Sequence, residues 1–219
     1  MRLEQGTRCW IPDNRIGWLG VNVTKIEYNE NSKVYKIELA NDEDSNECFV
    51  VETNNLAENN EKLPKLRNLD DTVDDLTTLS HLNEPSVLNS VKLRYSKKII
   101  YTFSGIVLIA INPFDKLENL YTQEIIQKYQ NAKKNDNPPH LFGISDEAYK
   151  CMRKDSISQS IIVSGESGAG KTVSAKYIMR FFASVHTEGT QINTIEIEKQ
   201  ILATNPIMES FGNAKTTRN

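Results

Sequence analysis

Polar and apolar positions alternate in short runs through the first fifty residues, which is typical of strands with one buried face. Val21, Val23 and Ile26 form one such run, and residues 34–39 form another. Polar turns at 29–32 and 41–46 separate the runs. Because no helical period interrupts this region, the pattern predicts a small β-barrel over residues 1–51 that ends in a strand at 48–51.

The pattern changes after a polar connector at 52–68 that contains Pro64. Asn83, Glu84 and Pro85 form a helix start signal, and the helix that follows is predicted to place Val87, Leu88, Val91 and Tyr95 on one face. Apolar runs at 99–103 and 106–111 predict two buried strands of a larger sheet. Further helices are predicted over residues 122–131, 145–153, 172–185 and 195–203, with a short one ending near 211.

A glycine-rich loop lies between the β-branched run at 160–164, predicted as a strand, and the predicted helix at 172–185. The loop consists of Gly165, Glu166, Ser167, Gly168, Ala169, Gly170, Lys171 and Thr172. In such a loop, backbone N–H groups surround phosphate oxygens, the lysine reaches the terminal phosphates and the hydroxyl ligates Mg²⁺. The order of strand, loop and helix therefore predicts a nucleoside triphosphate site, with Lys171 on the phosphates and Thr172 on the metal.

The residues that would complete phosphoryl transfer are harder to find. Transfer requires a second acidic residue on the metal and an oriented nucleophile. No aspartate follows Asp155 in the sequence, and Asp115 is separated from its apolar strand by Pro113. The residues alone thus predict nucleotide binding without a complete catalytic set.

Composition narrows the class of partner. The chain has 219 residues and a formal net charge of -3, which argues against nucleic acid or an anionic membrane surface as the main partner. Its three cysteines lack metal-ligand spacing, and no apolar run approaches the ~20 residues of a membrane span. We expect a reducing, cytoplasmic setting, and we interpret His81, His140 and His186 as structural.

Residues 165–172 are identical to the phosphate loop of myosin motor domains, and the chain resembles that family in several further segments. The order of these segments also agrees with the family. They are Leu-Asn-Glu-Pro at 82–85, the strand at 100–105, Asn-Pro-Phe at 112–114, and residues 140–142, 146–149 and 205–216. The five residues after the loop, 173–177, together with the N-terminal barrel, most resemble a fungal class V myosin.

The resemblance implies an α/β fold class with three parts. These are an SH3-like N-terminal barrel at 1–51, a connector at 52–68, and at 69–219 the first part of a P-loop NTPase motor domain with a mixed central sheet. It also implies ATP and Mg²⁺ as cofactors. Residues 165–172 would hold the phosphates, with Thr172 on Mg²⁺.

The resemblance also implies a base-binding site. Asn112, Pro113 and Tyr121 would border the adenine, and the Tyr121 ring would lie over the base. Asn219 would be the first nucleotide-facing residue of switch I. No catalytic set would be complete within 1–219, because the family's remaining switch I residues and its switch II come later.

For the intact protein, the resemblance implies movement along actin filaments, with calmodulin-type light chains and cargo adaptors as partners. It implies a place in the cytoplasm and actin cytoskeleton, without nucleic acid and without membrane insertion. Three alternatives remain open at this stage. The chain could be a remnant that binds nucleotide at most, an unrelated small kinase or ATPase, or a peptide-binding module that acts through its N-terminal barrel.

We expect the isolated chain to aggregate, because sheet strands supplied by later sequence would leave apolar edges bare. Size-exclusion chromatography and a thermal scan test this expectation. A soluble monomer with one cooperative transition would contradict it.

Overall fold

A five-stranded antiparallel sheet forms the first part of the chain. The computed structural model describes residues 3–44, 46–54, 56, 63–68, 72–130, 132–133, 136–185, 199–200 and 203–211. The chain divides into two units, Met1–Leu93 and Arg94–Asn219, and each is considered by itself.

The strands of the first unit follow the alternation in the sequence. They are β1 Arg8–Asp13, β2 Gly17–Asn29, β3 Val34–Asn41, β4 Cys48–Thr53 and β5 Lys65–Leu66, in the spatial order β4-β3-β2-β1-β5. Their inward positions form one core, because alternate side chains of a strand share a face. The buried members of this core are Cys9, Ile11, Val21, Val23, Ile37, Leu39 and Leu63.

The prediction that the last strand lies at 48–51 is wrong. β5 pairs antiparallel with β1, with Leu66 opposite Cys9 and Lys65 opposite Trp10, inside the stretch predicted to be a connector. A strand of two residues is too short to show an alternating pattern, so only its pairing reveals it. In the described ladders, β4 and β5 lie at opposite ends of the sheet. A closed barrel therefore stays a prediction.

Three polar and aromatic side chains pack over Gly20. The guanidinium of Arg67 lies 4.4 Å above the Trp10 ring and forms an ion pair with Asp42. A Cβ atom at position 20 would lie 2.6 Å from Arg67 Nη1 and 3.0 Å from Asp42 Oδ2. The missing side chain of Gly20 thus makes room for the ion pair on the sheet.

The second unit and its boundary are mainly helical. The helices are α1 Glu84–Ser96, which crosses the division between the units, α2 Gln123–Tyr129, α3 Leu141–Asp155, α4 Lys171–Val185 and α5 Asn205–Phe211. A 3₁₀ turn at Leu76–Thr78 precedes them. These positions confirm the predicted helices, except the one at 195–203, most of which lies outside the described residues.

α1 begins where the sequence predicts, because Asn83 Oδ1 accepts a hydrogen bond from the Ser86 N–H and caps the helix. Leu88, on the apolar face of this helix, is exposed. Ser86, Ser90 and Arg94 are buried instead, at four-residue spacing. Arg94 donates to Thr102 Oγ1 and to the Tyr101 carbonyl, both at 2.9 Å, which offsets the cost of burying its charge.

The apolar runs of the second unit are only partly buried. Two of them form an antiparallel hairpin of β6 Tyr101–Ser104 and β7 Val107–Ala110. β6 is buried at Tyr101, whereas Val107 in β7 is exposed. The predicted strand at 160–164 is not a strand, and Ile162 is 88% exposed. A strand requires a paired neighbour, and no described residue pairs with 160–164.

The core of the second unit lies between α2, α3 and α4. Phe142 of α3 and Phe181 of α4 are fully buried and stack at 5.4 Å with an interplanar angle of 26°. The other buried hydrophobic residues of this core are Ile100, Tyr101, Ile126, Tyr129, Leu141 and Ile178. Ile178 and Phe181 of this core belong to α4, the helix that begins where the glycine-rich loop ends.

We expect Gly20→Ala to lower the free energy of unfolding of the first unit by about 1–3 kcal/mol, because the new methyl group would displace the ion pair. Denaturant unfolding followed by tryptophan fluorescence measures this change. In an Arg67→Ala background, which removes the guanidinium, the same substitution is expected to cost less. An equal cost in both backgrounds would show that the ion pair is not what excludes the methyl group.

Candidate functional site

The glycine-rich loop has the backbone geometry that its sequence predicts. Gly168 and Gly170 have φ angles of +83° and +93°, a region that favours glycine. A Cβ atom on Gly165 would lie 3.1 Å from the Ala169 Cβ. The Ala169 N–H donates to the Glu166 carbonyl at 3.2 Å and closes the turn. The glycines therefore stand where the turn leaves little space for a side chain.

Lys171 begins α4 and folds back over the loop. Its Nζ donates to the carbonyls of Gly165, at 2.7 Å, and Glu166, at 2.8 Å. The Ser174 N–H donates to the Gly170 carbonyl at 2.9 Å. The first N–H groups of a helix have no hydrogen-bond acceptor within the helix. These groups, the helix dipole and the ammonium together favour an anion here.

Phosphate groups fit this arrangement. The Lys171 ammonium supplies a positive charge, and Thr172, the next residue in the chain, is exposed on the first turn of α4. A hydroxyl oxygen together with phosphate oxygens is a donor set that Mg²⁺ accepts. Within the described ranges, no group of three or more His, Cys, Asp or Glu residues could hold a metal ion.

A cleft of about 760 Å³ lies beside the loop. The sequence-predicted residues Asn112, Pro113 and Tyr121 line it, and so does Gly170 of the phosphate loop. The structure thus brings Asn112, Pro113 and Tyr121 to one cleft with Ala169 and Gly170 of the glycine-rich loop.

Tyr121 is held on two sides. Its hydroxyl forms a hydrogen bond of 2.7 Å with the hydroxyl of Tyr101, and its ring stacks on Tyr177 with 3.5 Å between centroids and a 10° interplanar angle. Burial raises the pKa of both Tyr101 and Tyr121, so both phenols are neutral at physiological pH. Tyr177 covers one face of the Tyr121 ring.

Sequence reasoning missed Tyr177. It lies four residues after Val173 in α4, and both side chains line the cleft because residues at that spacing share a helix face. The signal was therefore present in the helix that follows the loop. It went unused because the resemblance named only residues before the loop as the base site.

The loop that carries Asn112 is fixed by several hydrogen bonds. Asn112 Nδ2 donates to the Gly168 carbonyl at 2.6 Å, and Asn112 Oδ1 accepts from the Phe114 N–H at 3.0 Å. Tyr95 donates its hydroxyl proton to the Pro113 carbonyl at 3.2 Å. Phe114 itself has a φ of +49°. These bonds hold a chain reversal in a conformation that most residues avoid.

His140 attaches the far end of this loop to α3. Its Nδ1 accepts from the Phe142 N–H at 3.0 Å, so its Nε2 carries the proton and donates to the Leu120 carbonyl at 3.1 Å. The rings of Tyr101 and Tyr129 each lie 5.0 Å away. Burial lowers the pKa of His140 to about 4, and the residue is neutral near pH 7. This geometry agrees with a structural role.

Two remaining predictions concern switch I and membrane insertion. Asn219, the predicted start of switch I, lies outside the described residues. Among the described helices, none combines the length and the apolar character needed to cross a membrane.

Comparison with known proteins supplies the family. The myosin head (motor domain) family matches residues 73–219. Myosin-2 of Saccharomyces cerevisiae is 54% identical over 229 residues, covering all of this chain and 14% of its own length. Myosin-52 of Schizosaccharomyces pombe is 47% identical and covers 98% of this chain and 15% of its own length. Unconventional myosin-Va of Gallus gallus is 47% identical, covering 97% of this chain and 11% of its own length.

We expect the second unit to lose stability in acid. Because the folded pKa of His140, about 4, lies below the ordinary value of 6.5, the unfolded chain binds the proton more readily. The free energy of unfolding should fall as the pH drops below about 6.5, by about 3 kcal/mol once the pH is below about 4. Urea unfolding across this pH range measures the slope.

His140→Asn is the informative variant, because asparagine can still cap α3 but does not titrate in this range. It should be less stable near pH 7 and lose less stability between pH 6.5 and 4. His81→Asn, which removes an imidazole from the other unit, is the matched control. An unchanged acid slope in His140→Asn would contradict this account.

Proposed function

We propose, because this chain belongs to the myosin head (motor domain) family, that it carries the ATP-binding part of an actin-based motor. The main observation in support is that one helix, α4, contributes both to the proposed phosphate site, here called the cradle, and to a wall of the adjacent cleft. Lys171 stands in the cradle and Tyr177 in the cleft wall. A ligand with a planar base at one end and phosphates at the other has the shape that such a site accepts.

In this proposal, residues 165–172 hold the phosphates, as in a P-loop NTPase. Lys171 exchanges its loop carbonyls for phosphate oxygens, and Thr172 ligates Mg²⁺. Asn112, Pro113 and Tyr121 border the adenine, and Asn219 opens switch I. Held by Thr172, a bound Mg²⁺ would supply positive charge that offsets the charge of the phosphates.

In this proposal, the Tyr121 ring lies over the base with its other face, because Tyr177 already covers one face of the ring. The hydroxyl can donate one hydrogen bond and accept others, so its bond to Tyr101 still leaves it able to reach a ligand.

The motor itself belongs to the intact protein. The chain spans only 11–15% of the length of the relatives described above. For the intact protein, we propose ATP-driven movement along actin, calmodulin-type light chains, cargo adaptors and a place in the cytoplasmic actin cytoskeleton. The 47% identity with a relative named unconventional myosin-Va supports a class V type, and so does the sequence at 173–177.

The finer fold assignment is part of the same proposal. The antiparallel order β4-β3-β2-β1-β5, with a long β2 that carries a bulge between Val23 and Lys25, supports an SH3-like module at the N-terminus. The hairpin β6–β7 would be an antiparallel part of the proposed mixed central sheet.

We expect Lys171→Ala to weaken binding of Mg²⁺-ATP at least tenfold, because the variant loses a charged hydrogen-bond donor that is worth about 1.5–3 kcal/mol. Titration with a fluorescent ATP analogue measures the dissociation constant. Lys176→Ala removes an exposed ammonium from the same helix and is expected to leave the constant unchanged. Equal binding by both variants and the parent chain would refute the proposed cradle.

The motor part of the proposal is tested on the intact protein. We expect its ATP hydrolysis to rise with the concentration of actin filaments, and Lys171→Ala to abolish this rise. A phosphate-release assay measures the rate. Hydrolysis that does not respond to actin would argue against a motor.

A further inference from the structure

The side chain of Asn112 joins two loops that lie 56 residues apart in sequence. Its Nδ2 bonds to the phosphate loop, at the Gly168 carbonyl, and its Oδ1 bonds within its own loop, at the Phe114 N–H. Two hydrogen bonds from opposite ends of one planar amide fix the plane of that amide. The amide is thus used to hold protein to protein.

We propose that Asn112 is a positioning residue, which aligns the base cleft with the phosphate loop rather than recognising the base itself. This inference rests on the proposed function, because it assumes that base and phosphates of one ligand occupy the two parts of the site. It changes the role expected for Asn112 from a residue that borders adenine to a brace between the two loops.

On the phosphate side, the bond acts on one peptide unit. The carbonyl of Gly168 accepts from Asn112, while the N–H of the same peptide, on Ala169, donates to Glu166. The peptide is therefore held at both ends, with Gly168 at a φ of +83°. Without Asn112, the bond from Ala169 to Glu166 still closes the turn, so the loop keeps its own shape and loses only its link to the other loop.

On the base side, the loop keeps its own shape. The bond from the Phe114 N–H to Asn112 closes a short turn, and the Tyr95 hydroxyl holds the Pro113 carbonyl. The bond from Asn112 to Gly168 then sets where this preformed turn lies relative to the phosphate loop. The bond from Asn112 to Gly168 therefore sets the relative position of two loops, each of which is also held by bonds of its own.

A loss of alignment between the two loops should change the affinity of some ligands and not of others. A ligand that touches only one part of the site does not sense the alignment of the other. A ligand that spans both parts loses affinity, because the protein must be reordered when the second part engages. If Asn112 instead contacted the ligand directly, its loss would also weaken binding of the half of the ligand that it contacts.

The test compares three ligands in the intact protein, with Asn112→Ala and as the unsubstituted parent chain: Mg²⁺-ATP, adenosine and tripolyphosphate. Isothermal titration calorimetry, with displacement of a fluorescent nucleotide for the weak ligands, gives each dissociation constant. We expect the ATP constant to rise about tenfold, which corresponds to one net hydrogen bond. The constants for adenosine and for tripolyphosphate are expected to stay within about twofold of the parent.

Two further variants make the comparison secure. Asn137→Ala removes an amide that donates to the Lys128 carbonyl at 3.2 Å, away from the cleft, and is expected to change none of the three constants. In Asn112→Ser, the hydroxyl can still accept from the Phe114 N–H but is too short to bridge to Gly168. Asn112→Ser should therefore raise the ATP dissociation constant as Asn112→Ala does. If Asn112→Ala does not fold, the result with Asn112→Ser tests the inference instead.

Each other outcome overturns the inference. Unchanged ATP binding would show that the brace is dispensable. A tenfold loss for adenosine would mean that Asn112 contacts the base, and the same loss for tripolyphosphate would mean that it contacts phosphate. Loss of folding in both variants would make Asn112 a general structural residue. If the parent chain binds neither ATP nor tripolyphosphate, the proposed function itself fails, and the inference falls with it.

Discussion

The second unit depends on keeping one buried histidine neutral and fully hydrogen-bonded. His140 lies among aromatic rings, where a charge would be very costly and an unpaired ring nitrogen would also cost free energy. The two ring nitrogens of His140 therefore require two different partners, because one must accept from an N–H and the other must donate to a carbonyl. The N–H is that of Phe142 at the start of α3, and the carbonyl is that of Leu120 beside the cleft. The position of Tyr121 follows from this pairing and from its bond to Tyr101.

The sequence could predict what is decided locally. Glycine, lysine and threonine at fixed spacing define the phosphate loop, and Asn83 with Pro85 defines the start of α1. It could not predict what distant partners decide. The buried face of α1 is an example, because the bonds of Arg94 to Tyr101 and Thr102 keep a charged residue inside. The run at 160–164 has strand composition, but composition does not provide a pairing partner.

The candidate site shows the same division. Motif resemblance selected Asn112, Pro113 and Tyr121, and the structure brings them to one cleft beside Gly170. It could not show that a ring from α4 covers Tyr121, nor that the Asn112 amide is engaged with the phosphate loop. Motifs identify which residues meet a site, whereas only packing shows whether each one faces the ligand or another part of the protein.

The contact between Asn112 and Gly168 also sets an order of events during synthesis. The 56 residues between them take roughly 3 to 11 s to translate at about 5–20 residues per second. Throughout that interval, the base-side loop is present without the carbonyl that holds it. The cleft thus cannot acquire its final shape as the chain emerges, because its last restraint comes from the segment made after it. On the nascent chain, this cleft therefore stays incomplete until α4 begins to form.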